Sequence, residues 1–512
     1  MALTSKGRNA LIIGVLAIGA FFGLKHLSDK GTFKHLIPTQ MEAASDFSTE
    51  EQASIVRVGC NTWGGHAGGE YFNGGFKASK ESRFYKEYGI LVEFVLLDDF
   101  NASREAFKAG KVDLLWQTID AFPTEVEGLK EFEPQVIFQP DWSRGGDAIV
   151  VRRGINSVAD LKGKKIAVAP MTPSQTLLLN MFEAGEVKVS EVQIVEVANA
   201  IDAADLFKKG QVDATVCWSP DDQACVQAIP GAKVLLSTKT AKNIIADIFF
   251  AKKTYAESHQ KELASLVEGW LKGAAEINSS ADAKKEAAKI LSEGFSMPLD
   301  FCETAIDNAR LCTYGDNINF FNINGNFKGV TGEGLYSRMA VTFANAGVIK
   351  DANVTAWRNI AYPSIIKSIT TLTGSEQAGE SDIKFAAVTE EEKTAVAVSD
   401  KKVTISFASG SSVLDDNAKY IIDNEFGEIL KGFSGAKVRV EGNTDNTGKV
   451  TVNKRLSEER AKAVADYLAA NYHCDYNRFI VLGNGPDKPV ADNSTVDGRS
   501  KNRRTDFQLI AQ

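Results

Sequence analysis

Two phrases of this chain echo each other: Phe107-Lys-Ala-Gly-Lys-Val-Asp113 and Phe207-Lys-Lys-Gly-Gln-Val-Asp213. Each reads as the end of a helix, a glycine stop and the start of a strand, because Gly110 and Gly210 suit the left-handed position that follows a helix. Two similar α/β halves are therefore expected. From Ile55 to about Ser368, short apolar runs alternate with helical patterns, which predicts α/β architecture. The strand candidates are Ile55–Gly59, Leu91–Leu97, Val112–Gln117, Ala148–Arg152, Lys165–Ala169, Gln193–Val197 and Ala214–Trp218.

At 512 residues the chain is too long for one core and divides into about three units. Its 44% hydrophobic and 24% charged residues are those of a folded protein, and a formal net charge of −8 argues against a nucleic-acid partner. Six cysteines without a C-x-x-C pair suggest neither zinc nor thioredoxin-like chemistry. In an oxidising compartment, Cys217/Cys225 and Cys302/Cys312 are the pairs spaced to close short loops. Lys6 and Arg8 precede the apolar run Ala10–Leu24, which is read as an uncleaved transmembrane helix with the bulk of the chain outside the cytoplasm. The alternative is a cleaved signal, because the run is shorter than the ~20 residues that comfortably span a bilayer.

Residues 31–53 mix Gly, Pro, Ser, Thr and acids and read as a tether; residues 371–394 turn polar and acidic and read as a linker. Beyond them, strands at Lys402–Ala408, Lys437–Glu441, Arg478–Gly483 and Thr505–Ile510, with helices at Asp415–Lys431 and Leu456–Asn471, give a β-α-β-α-β-β order. The alternating charges of Val438–Asn443 suggest a half-exposed strand.

Several residues of the middle segment sit where ligands bind. Trp63, Trp116 and Trp218 fall at or just past the ends of predicted strands, the edge that faces the crevice in open α/β sheets. Thr172, Pro173, Ser174 and Gln175 follow a strand and open a helix, so free N–H groups and hydroxyls there suit an anion, or simply cap the helix. Asp120 and Asp247 are candidates to hydrogen-bond a polar or cationic group. The glycine-rich run Trp63–Gly69 allows close backbone approach, but it lacks dinucleotide-binding spacing. His66 lies within it, and the five histidines show no metal-ligand spacing, so no metal or cofactor is expected.

The ordered phrases VRVG, YKEYGILVEFVLLDD, AFKAGKVDLLWQT, GGDAIVV and SVADLKGKKIAVAP resemble the periplasmic solute-binding proteins of the nitrate, sulfonate and taurine ABC type. The resemblance implies a type II-like, two-lobed fold over residues 54–370 that closes on a small anionic or zwitterionic solute and is not an enzyme. It raises Trp63, Trp116, Thr172, Ser174, Trp218 and Asp247 as ligand contacts.

In residues 395–512, Gly442-Asn-Thr-Asp-Asn-Thr-Gly448, then Asn453, Leu456-Ser-Glu-Glu-Arg-Ala461 and Asn502-Arg-Arg504, are similar to the OmpA/MotB/Pal peptidoglycan-binding module, an α+β domain. Diaminopimelate of a wall stem peptide ends in one amine and one carboxylate on the same carbon. An Asp can take the ammonium and an Arg fork the carboxylate. The resemblance assigns these roles to Asp445 and Arg460, the latter expected in the first helical turn. It adds Asn453 and Thr444 in the loop and Arg503 or Arg504 as a buttress. Ser457 is expected to cap the helix ahead of Glu458 and Glu459. The whole reads as a protein anchored in the inner membrane (residues 1–30), with its bulk in the periplasm and its tail on the wall. It captures a solute for an ABC permease or reports its occupancy. The alternative is a scaffold subunit with a repurposed, ligand-free middle domain.

Overall fold

The computed structural model describes residues 47–48, 51–52, 54–405, 407–408 and 410–510. The run Ala10–Leu24, expected to be the anchor, lies outside them. Among the described residues no helix is long and apolar enough to cross a membrane. The residues described from Ile55 onward form one compact unit.

The strands of the first lobe are β1 (Val56–Cys60), β2 (Val92–Leu96), β3 (Leu114–Thr118) and β4 (Pro134–Phe138). The chain then crosses through β5 (Asp141–Ser143) into a second lobe of β6 (Asp147–Val151), β7 (Lys165–Val168), β8 (Gln193–Glu196), β9 (Ala214–Trp218) and β10 (Lys233–Ser237). It returns with β11 (Asp247–Lys252), which completes the first sheet. The sheet orders are β2-β1-β3-β11-β4 and β8-β7-β9-β6-β10. In each, three parallel strands meet one antiparallel strand that arrives from a crossing segment. The two crossings are tied together: Ser143 N–H donates to Ile245 O at 3.1 Å, and Trp142 bridges Ala246.

The echoed phrases perform the same task in each lobe. Gly110 and Gly210 have φ of +69° and +81°, and Phe107 and Phe207 are fully buried beneath them. Asp113 Oδ2 accepts from Arg57 N–H at 2.8 Å; Asp213 Oδ2 accepts from Lys165 N–H at 2.9 Å. Each aspartate thus joins a helix–strand turn to the neighbouring parallel strand, so one sequence device sets register twice.

The short strand β12 (Ala309–Leu311) pairs with β5. The terminal module has β13 (Ser399–Val403), β14 (Lys437–Asn443), β15 (Phe479–Gly485) and β16 (Thr505–Ile510) in the order β13-β16-β14-β15. Its long helix, Val450–Asn471, lies against β14 and β15 because glycines leave room: a Cβ on Gly442 would lie 2.0 Å from Ser457 O.

Three expectations change here. The first tail strand ends at Val403, short of Ala408. The long helix begins at Val450, so Ser457 is interior to it and spends its hydroxyl on Lys454 O while accepting from Gly485 N–H. β14 is buried along its whole length rather than half-exposed. Arg439 and Glu441 pair with each other at 3.3 Å, and Lys488 and Asn484 close over Glu441.

The terminal module packs on the two lobes. Asn243 N–H donates to Gly432 O and Gly435 N–H to Thr240 O, both at 3.0 Å, so it rests on the second crossing segment. Val158 N–H donates to Val398 O at 2.8 Å. Residues 371–394 are held down as they pass between, with Leu372, Gln377 and Phe385 buried. All six cysteines are free thiols, and neither Cys217/Cys225 nor Cys302/Cys312 is bridged.

Candidate functional site

Between the lobes lies a cavity of about 50 Å³. Strands and their ends supply its walls: Trp63 lies beyond β1, Trp116 in the middle of β3 and Thr118 at its end, Trp218 ends β9, Asp147 starts β6 and Asp247 starts β11. The three tryptophans named from the sequence therefore converge, as the crevice rule requires. Trp63 reaches across to the first crossing, where Gly146, just ahead of β6, lacks the Cβ that would meet Trp63 Cη2 at 2.2 Å.

Beneath the tryptophans is a buried acidic cluster. His66 Nε2 lies 3.1 Å from Asp247 Oδ2, and Trp63 Nε1 donates to Asp141 Oδ1 at 3.2 Å. Ligating atoms of His66, Asp141 and Asp247 all fall within 4.8 Å of one another. Asp120 accepts from Ala246 N–H at 3.2 Å, and Asp147 from the Ser143 hydroxyl at 2.8 Å. Burial pushes Asp120 and Asp147 each up to about 7 and holds Asp141 and Asp247 well above the usual carboxylate range. Burial also lowers His66 to about 4, which keeps the ring neutral at physiological pH.

Asp141, Asp147 and the cluster with His66 were missed because they come from distant segments, and no local spacing signals them. The glycine run has a packing role in place of the ligand approach expected for it. Gly65 makes room for the Asp141 carboxylate, and Gly68 and Gly69 for Trp270. The anion-ready helix start is also revised. Pro173 occupies the first turn without an N–H, Gln175 and Thr176 N–H donate back to Thr172 O, and the Thr172 hydroxyl donates to Ala169 O. Pro173 lines the cavity; Thr172 and Ser174 do not, though Ser174 is fully buried.

The second site lies at the edge of the terminal sheet. Asp445 follows β14, accepts from Thr447 N–H at 2.9 Å and pairs with Arg503 Nη1 at 2.7 Å. Partial burial opposes its ionisation, but the Arg503 and Thr447 bonds hold the carboxyl below its ordinary value. Asn453 donates to Asp445 O and Thr447 O and so fixes the loop. Thr444 is buried, its N–H on Gly485 O. Arg460 sits in the middle of the long helix rather than in its first turn, so the helix dipole gives it no anion-binding help. Its guanidinium donates to Ser411 O and Ala408 O and lies 4.8 Å from the Phe407 ring. Arg460 and Arg503 together line one small recess. Arg504 instead pairs with Asp506 at 2.8 Å.

A two-lobed α/β domain with a cleft between its lobes, followed by a terminal α+β module, is thus the class these elements define. Residues 74–283 match the family described as NMT1/THI5 like, and residues 406–503 match the OmpA family. The chain thus joins a segment similar to the NMT1/THI5-like family to a C-terminal segment similar to the OmpA family. Over 111 residues it is 34% identical to outer membrane porin F of Pseudomonas aeruginosa, covering 22% of this chain and 31% of that one. Over 90 residues it is 43% identical to the peptidoglycan-binding protein ArfA of Mycobacterium tuberculosis, covering 18% and 27%. The chain thus spans under a third of the length of either relative. Among solved structures, the periplasmic aliphatic sulphonate binding protein SsuA of Escherichia coli aligns with 19% identity and a TM-score of 0.48, over 61% of this chain and 99% of that one.

Proposed function

We propose that this protein is a wall-attached solute-binding component of the cell envelope. Its lobes enclose a small molecule, its terminal module holds the diaminopimelate of a peptidoglycan stem peptide, and its amino-terminal segment keeps it at the inner membrane with its bulk in the periplasm. There it serves an ABC permease or reports occupancy to a membrane complex. The reading is one of binding, not catalysis.

The observation that carries it is the meeting of Asp445, Arg460 and Arg503, which come from a loop, a helix interior and the approach to β16. Asp445 takes the ligand's ammonium and Arg460 its carboxylate. Asn453 and Thr444 hold the loop in place. Arg503 neutralises Asp445 until the ammonium arrives, then remains to second Arg460. Pull-down on purified sacculi tests this: Asp445→Ala is expected to reduce retention at least ten-fold with an unchanged circular dichroism spectrum. Undiminished retention would sink the assignment.

A second reading, that of a scaffold, draws on the small cavity and on the terminal module's seat on the crossing segment. A melting temperature insensitive to every class of small solute would favour it, since bound ligand must stabilise the folded state.

A further inference from the structure

Charge, shape and hydrogen-bonding capacity of the cleft all bear on what kind of solute it takes. Asp147 and Asp247 line the cavity with Asp120 and Asp141 close by, all four buried, and the lining contains no lysine or arginine. Arg104 lies over the Trp116 ring at 5.8 Å but is held by both oxygens of Glu125, at 2.7 and 3.0 Å. Among the described residues, Asp147 Oδ1, Asp120 Oδ2 and Asp141 Oδ2 make no hydrogen bond although each is removed from solvent, and the indole N–H groups of Trp116 and Trp218 beside them are unpaired as well. Buried acceptors of this kind call for a donor. An anion would instead meet buried carboxyl groups and a helix start whose Gln175 and Thr176 N–H groups are already bonded to Thr172 O.

We propose that the cleft binds a small organic ammonium ion, an inference that rests on the solute-binding reading and replaces the anionic or zwitterionic solute suggested by family resemblance. Trp63, Trp116 and Trp218 supply the aromatic wall that attracts such a cation through its ring quadrupoles, while Asp147 and Asp247 supply the counter-charge. The 50 Å³ of space admits about four water-sized groups, which is the size of trimethylammonium or ethylammonium. A metal ion is the rival cation for His66, Asp141 and Asp247, but indole rings offer a metal no ligand atom. Three of them around the cavity favour an ion with C–H and N–H surface.

The test is titration of the full chain by calorimetry and tryptophan fluorescence with trimethylammonium and ethylammonium, each against methanesulfonate, nitrate, Zn²⁺ and Mg²⁺. An ammonium ion is expected to bind with a fluorescence change, and Asp147→Asn and Asp247→Asn are each expected to weaken it at least ten-fold. Fluorescence of the unaltered chain reads the result even if a variant folds poorly. Binding of methanesulfonate or nitrate without ammonium would overturn the cation assignment and leave the solute-binding reading standing. Binding of a divalent metal alone would overturn the organic assignment in favour of the His66 cluster. Silence toward all probes would overturn both.

Discussion

The cleft and the site proposed to grip the wall are both built around aspartate, yet they treat its charge in opposite ways. At the wall site Asp445 has Arg503 at 2.7 Å, and the arginine side chain is nearly half exposed, so the charge is balanced and solvated. In the cleft, Asp120 and Asp147 are buried with one oxygen each unsatisfied, and no cationic side chain lines the space. A carboxylate with its own counter-ion is ready to exchange that partner for a ligand at little cost to the fold. A carboxylate without one makes the empty protein less stable and makes a cationic ligand worth more.

The pH response is where this contrast can be broken most decisively. Asp120 and Asp147 stand at about 7 in the folded protein, so between about 4 and 7 the folded state holds protons the unfolded state has released, and stability falls as pH rises. Ionising each costs roughly 4 kcal/mol at most. The Asp120→Asn/Asp147→Asn variant is therefore expected to outlast the parent in urea at pH 8, with the advantage shrinking toward pH 4.5. An equal advantage at both pH values would mean that the cleft carboxyls are compensated after all.

A smaller effect concerns the seat of the wall site. Gly442→Ala drives a methyl into Ser457 O and is expected to cost about 1–3 kcal/mol, weakening sacculus binding by displacing the helix that carries Arg460. Unaltered stability would show that the helix has slack. The smallest effect is expected at the ion pair. Asp445→Asn should cost about 0.2–1 kcal/mol at pH 7 by denaturant unfolding. Because Asp445 is held below its ordinary value, that contribution is present above the unfolded pKa and is lost as pH falls through the folded one, the reverse of the cleft. A loss well beyond this range would erase the distinction between the two sites.

Much of the fold was legible because its signals are local. Short apolar runs bounded by helical patterns mark strands locally, and those expected in the lobes lie within a residue or two of β1, β2, β3 and β6–β9. β4, β10 and β11 were not foreseen. β11 is laid down only when the chain returns from the second lobe, and its pairing with β3 and β4 is a long-range choice. The start of the long helix lies earlier than expected because Val450-Thr-Val452 has weak helix propensity; this exposed first turn continues a helix whose later residues are buried against β14 and β15. In the terminal module, residue types and their order raised Asp445, Asn453, Arg460 and a buttressing Arg503 or Arg504 as candidates; that Arg503 is the one that pairs with Asp445, 58 positions away, is decided by the tertiary structure.

By itself the sequence determined the repeated helix–glycine–strand device, the two-part organisation and the tryptophans at strand ends, because backbone conformation and apolar periodicity are written residue by residue. Tertiary structure alone decided which charges meet. Electrostatic balance depends on distance in space, and folding brings four aspartates from three stretches of chain into one dry cleft while sending the arginines elsewhere.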